Sequence, residues 1–117
     1  MDVFVLNHSH SKEFCKLCQN FKLKDGVTAN NLIRKGGFTN YYKPDLYFIR
    51  MLHTSDQYPI SFSIIINKKT LEIESFKLLD ECFGQPHFCG KEEYEQCKKI
   101  MNRLVCKNLF EWDKKNL

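Results

Sequence analysis

The side chains with most chemical potential in this chain are cysteines and histidines, and they fall in two clusters. Residues 7–19, NHSHSKEFCKLCQ, hold His8, His10 and the pair Cys15-x-x-Cys18, and residues 80–90, DECFGQPHFCG, hold Cys82, His87 and Cys89. Cysteines three apart on a helix project from one face, so they can share a metal or form a redox pair. A structural zinc takes four thiolate or imidazole ligands. Cys15, Cys18, Cys82 and Cys89 would supply four thiolates, or His87 could replace one of them, with Gly84, Pro86 and Gly90 giving the second cluster its turns. Zinc is the one cofactor this pattern raises. Against it, the second cluster is spaced Cys-x6-Cys, not as a second Cys-x2-Cys. The competing reading needs no chemistry. Cys18 shares the helical spacing of Phe14, Leu17 and Phe21, Cys97 lies in a second apolar stripe, and free cysteine packs as a small buried hydrophobe. That reading is preferred: "CKLC" belongs to a helix, and no cofactor is expected.

A dithiol redox site, as in thioredoxin-like folds, fits the strand-then-helix order around Cys15, and Lys12 and Lys16 would favour a thiolate there. Pro59, just before a strand, stands where such folds keep a proline. The topology excludes it. Only TSDQYP, residues 54–59, separates two strands, too short for the helical crossover of a parallel pair.

The elements that must position these residues follow from periodicity. DVFVLN at 2–7 reads as a strand buried on both faces. From Ser11 a helix begins, with Ser9 or Ser11 as cap, and the segment closes at Gly26. A shorter helix is expected over Thr28–Lys35, stopped by Gly36-Gly37. Residues 45–53 and 60–66 read as strands, the second with Ile60, Phe62, Ile64 and Ile66 on one face and Ser61 and Ser63 facing outward. NKKT is a turn, and the strand LEIESFKLL returns with Leu71 and Ile73 inward. After the loop at 80–90, a long helix runs from about Lys91 towards Trp112, with Tyr94, Cys97, Met101, Leu104 and Val105 as its buried stripe. The expected fold is α+β: a four-stranded, mainly antiparallel sheet with helices on one face, in the order β-α-α-β-β-β-α.

A chain of 117 residues, 43% hydrophobic and 27% charged, fits a single ordered domain over residues 1–117. The net charge of +4 falls short of a dedicated nucleic-acid binder, and the only arginines are Arg34, Arg50 and Arg103. The N-terminal residues carry no basic, apolar leader pattern, and no apolar run reaches bilayer length. A cytoplasmic protein without a membrane partner is expected, its thiols reduced.

Neither a nucleophile elbow nor a phosphate-binding glycine loop is present. The element order is similar to that of the small mRNA-cleaving toxins of bacterial toxin–antitoxin pairs. That resemblance, which covers element order alone, implies RNA cleavage on a concave sheet, with Arg50, His53, Lys68, Lys69, Lys77 and Tyr47 as the pool. The aromatic stretch FTNYYKPDLYF, residues 38–48, points elsewhere. Tyrosine carries an apolar body and a polar tip, so Tyr41, Tyr42 and Tyr47, with Arg50, form a candidate protein-binding surface. The preferred reading is a binding or regulatory module without catalytic activity, meeting another protein through its sheet face or tyrosine-rich loop. RNA is the second-ranked partner.

Overall fold

The computed structural model describes residues 2–6, 10–39, 47–53, 60–80 and 82–113, with the backbone alone for 47–53 and for Asp2, Phe4 and Leu6. Its elements are β1 (Asp2–Leu6), α1 (Ser11–Gln19), β2 (Phe21–Leu23), α2 (Ala29–Arg34), β3 (Tyr47–His53), β4 (Ile60–Asn67), β5 (Ile73–Asp80), β6 (Gln85–Phe88), α3 (Lys91–Cys106) and β7 (Phe110–Trp112). The fold is α+β. Strands β3, β4, β5 and β6 pair antiparallel in turn, and β1 runs parallel to both β5 and β6.

The strand count corrects the expected four. The sheet has five strands in the order β1-β6-β5-β4-β3, and β2 and β7 form a separate two-stranded ribbon. Each added strand was hidden for a reason. β6 carries Pro86, a residue that cannot donate to a ladder and so reads as loop. β2 and β7 are three residues each, shorter than any alternation that can be recognised. The helix expected to reach Trp112 ends at Cys106, because Asn108 turns left-handed at φ 62°, a conformation asparagine tolerates. The first helix likewise stops at Gln19, so Phe21 packs from a strand. His10 occupies the N-cap position of α1 without a side-chain cap bond, in place of the expected serine.

The inward phase of β4 is as the alternation predicts: Ile60, Phe62, Ile64 and Ile66 are buried. In β5 the expected phase holds at Ile73 and then flips. Ile66 pairs with Ile73 while Ile65 pairs with Ser75, so Glu74 is an extra residue, a bulge, and Phe76 and Leu78 become the buried positions beyond it. Ser61 and Ser63, on the other face, are buried as well.

One core cluster joins α1 (Phe14, Cys18), α3 (Cys97, Met101, Leu104) and the sheet (Phe62, Ile64, Phe76, Leu78). Phe62 meets Phe14 edge-on at 5.9 Å and stacks with Phe76 at 6.1 Å. Phe21 stacks on Phe110 at 4.6 Å, which fastens the ribbon to the same core. Aromatic pairs of this kind add about 0.5–1.5 kcal/mol each beyond their buried area.

Candidate functional site

Cys15 is half-buried on α1, while Cys18, Cys89 and Cys97 are fully buried. Burial raises the thiol pKa of all four. Neighbouring thiols add to the effect at Cys18, the Glu93 carboxylate and then Cys15 add to it at Cys89, and Cys89 and Glu93 add to it at Cys97; Cys89 is pushed up to about 12. A neutral, buried thiol is a poor nucleophile. Cys82 stands apart from this group, exposed on the β5–β6 turn. That turn is fixed by Asp80, whose carboxylate accepts the Cys82 N–H at 2.9 Å and whose carbonyl accepts the Gly84 N–H at 2.7 Å. His87 pairs with Glu93, Nε2 to Oε2 at 3.4 Å, and the other oxygen of Glu93 accepts the Gly90 N–H at the start of α3. Cys18 thus neighbours Cys15, Cys89 and Cys97, whereas Cys82 sits on the exposed turn and His87 is paired with Glu93. Among the described residues no group of three or more His, Cys, Asp or Glu side chains is arranged to hold a metal.

The tyrosine surface is placed only in part. Tyr41 and Tyr42 lie outside the described residues, as does His8. Tyr47 and Arg50 are backbone positions on β3, where Tyr47 pairs with Asn67 and Arg50 with Ile64. His53 pairs with Ser61, and Lys77 pairs with Ser63. Tyr47, His53 and Lys77 therefore share one strand phase, and Arg50 falls in the other. No described helix is long and apolar enough to cross a membrane.

A different feature has the form of a binding site. A groove of about 510 Å³ runs between β2 with its following turn (Phe21–Val27) and the end of the β4–β5 turn (Thr70–Ile73). Its apolar side chains are the buried Phe21 and the half-buried Leu23, Val27, Leu71 and Ile73, and Lys22, Lys24, Asp25 and Glu72 are its charged ones. Aliphatic and polar side chains thus share the lining in comparable measure.

The far wall is built by an unusual turn. Asn67 organises it, accepting the Lys69 and Thr70 N–H groups on its side-chain oxygen at 2.8 and 3.0 Å. The Leu71 N–H donates to the Asn67 carbonyl at 2.8 Å, and the Asn67 N–H donates to the Glu72 carbonyl at 2.8 Å. Closing the hairpin this way requires a left-handed residue after the turn, a position that glycine or asparagine ordinarily fills. Here it is Leu71, at φ 58°. A branched apolar residue in that region carries about 1–3 kcal/mol of backbone strain.

None of the groove residues stood out in the sequence. The signal available was the missing glycine: NKKT reads as a turn, yet the next residue is leucine. Compared with known proteins, the chain matches no family model, no curated protein and no solved structure.

Proposed function

We propose that this protein is a small binding module that holds a segment of another protein in the groove between β2 and the β4–β5 turn. The observation that carries the reading is Leu71. Backbone strain concentrates where structure serves function, and a glycine would close the same turn without strain. Leucine instead presents an aliphatic side chain to the groove, beside Leu23, Val27 and Ile73. Half-buried aliphatic side chains lining a concave surface are what a partner's apolar residue seats against.

The RNA-cleaving reading has less to support it. Ser61, Ser63 and Ser75 on the sheet face opposite the helices are buried, so these positions do not offer an open floor for a nucleic acid.

Site-specific photo-crosslinking in the native host tests the reading. A photoreactive residue at Thr70, exposed on the groove rim, is expected to give a discrete protein adduct. The same residue at Lys99, on the exposed side of α3, is expected to give none. No adduct from Thr70, or the same adducts from both positions, would contradict the proposal.

A further inference from the structure

The hydrogen-bond phase of the β2–β7 ribbon shows which backbone groups of β2 are committed. The strands pair antiparallel as Phe21 with Trp112, Lys22 with Glu111 and Leu23 with Phe110. Just outside the ribbon, the Lys24 N–H donates to the Leu109 carbonyl at 3.0 Å, and the Asp113 N–H donates to the Asn20 carbonyl at 2.6 Å. These two pairs are in register with the ladder and flank it at alternate positions. Antiparallel pairs alternate between hydrogen-bonded and non-bonded. Lys22 and Glu111 are therefore the bonded pair between them, and the N–H and C=O groups of Phe21 and Leu23 point away from β7. Strand β7 contributes no residue to the groove, which borders the opposite edge of β2.

We infer that the groove takes an extended strand, which adds to the open edge of β2 as a third strand of the ribbon and alternates acidic with aliphatic side chains. This rests on the groove being a protein-binding site and specifies the mode and the partner's chemistry. An added strand finds its main-chain partners at Phe21 and Leu23. Along β2, Phe21 is buried and Leu23 half-buried, while Lys22 and Lys24 are exposed on the other face. Strand residues directly opposite one another share a face. Partner residues opposite Phe21 and Leu23 thus turn toward the aliphatic side chains, and those opposite Lys22 and Lys24 turn outward beside ammonium groups.

Charge selects the occupant. On its open side Lys22 belongs to a non-bonded pair, in which side chains approach most closely. Lys22 meets Glu111 on the β7 side at 3.4 Å, whereas among the described residues no carboxylate pairs with Lys24. The two carboxylates of the groove, Asp25 and Glu72, belong to the turn after β2 and to the far wall rather than to the strand edge. A second copy of the chain is disfavoured by the same charges. Two β2 edges paired about a two-fold axis, Phe21 against Leu23, would set Lys22 against Lys22, and like charges directly opposite are destabilising.

The test uses a capped eight-residue peptide of alternating glutamate and valine, with a lysine–valine peptide as control. Trp112, the single tryptophan, lies 5.0 Å from the Phe21 ring and reports on the ribbon by fluorescence. The glutamate peptide is expected to titrate saturably and the lysine peptide to bind at least tenfold more weakly. Two variants probe the mode. Leu23→Pro removes the edge-facing N–H while leaving the ladder bonds of Lys22 and Lys24, and is expected to weaken binding at least tenfold. The variant Lys24→Glu changes an exposed side chain that pairs with no carboxylate among the described residues and is expected to abolish the preference between peptides, which keeps the test decisive should Leu23→Pro fail to fold. Saturable binding that neither variant changes would overturn strand addition and leave the groove reading standing. No saturable response to either peptide would overturn strand addition too. The groove reading falls with it only if the Thr70 position also yields no crosslink.

Discussion

Leu71 holds φ 58° at the end of the β4–β5 turn and lines the groove with the same side chain. Replacing it separates strain from packing. Leu71→Gly relieves about 1–3 kcal/mol of backbone strain and gives up the burial of a half-exposed leucine, so the two effects nearly cancel. Chemical denaturation is expected to show a change within about 1 kcal/mol, against about 2–5 kcal/mol lost in Leu78→Ala at a fully buried site. A loss of core size in Leu71→Gly would show that position 71 serves stability alone. The thiols make a second claim at this scale. Burial raises the pKa of Cys89 from an ordinary 9.0 to about 12, and those of Cys18 and Cys97 shift in the same direction. A group with a raised folded pKa contributes stability that is complete below its unfolded value and is lost as pH climbs to the folded one. Denaturation midpoints are therefore expected to fall from about pH 9 upward, less steeply in Cys89→Ala. An aromatic disulfide reagent should label exposed Cys82 and Cys106 first and reach Cys18, Cys89 and Cys97 only on unfolding. An identical pH slope in the variant would remove Cys89 from the account. The burial of Cys18 and Cys97 was legible as helical spacing. The strain at Leu71 was not, because a left-handed residue leaves no mark in the sequence when glycine is absent.

The elements hold their places through end groups and close approaches. Thr28 and Asn31 form a reciprocal capping box at α2: the Asn31 N–H donates to Thr28 Oγ1 at 3.2 Å, and the Thr28 N–H donates to Asn31 Oδ1 at 3.1 Å. At the other end of α2, Gly36 is buried where a Cβ would lie 2.8 Å from the Leu32 carbonyl and 2.9 Å from Leu109. Leu109 leads into β7, so this close approach ties α2 to the ribbon that borders the groove. Gly36→Ala is expected to cost about 1–3 kcal/mol through overpacking, read as a lowered denaturation midpoint. A midpoint equal to wild type would mean that the contact yields without cost. Helix α2 was legible from the glycines that stop it, and its capping box emerged only in the structure. Strands β2 and β7 were not legible, since three-residue strands exist only because tertiary pairing extends α1 and α3 into a shared ribbon.

Across the whole molecule, the core and the candidate site are joined by one aromatic chain. Phe62 stacks with Phe76, Phe76 meets Phe21 at 6.2 Å, and Phe21 stacks on Phe110. The ribbon edge is therefore set on a packed base rather than carried on a loop, which lowers the ordering cost of binding. The class of the fold was legible because the long alternation of β4 and the helical stripes are dictated by burial. The groove was not, because it arises where two segments some fifty residues apart, β2 and the β4–β5 turn, come to border one space. The most direct measurement is amide hydrogen exchange, followed by NMR, at residues 22–24. The Lys22 amide, facing β7, and the Lys24 amide, bonded to the Leu109 carbonyl, should exchange slowly, the Leu23 amide should exchange fast, and addition of the glutamate–valine peptide should slow Leu23 selectively. A Leu23 amide already as protected as its neighbours, or one that the peptide leaves unchanged while it binds, would contradict an open edge on β2.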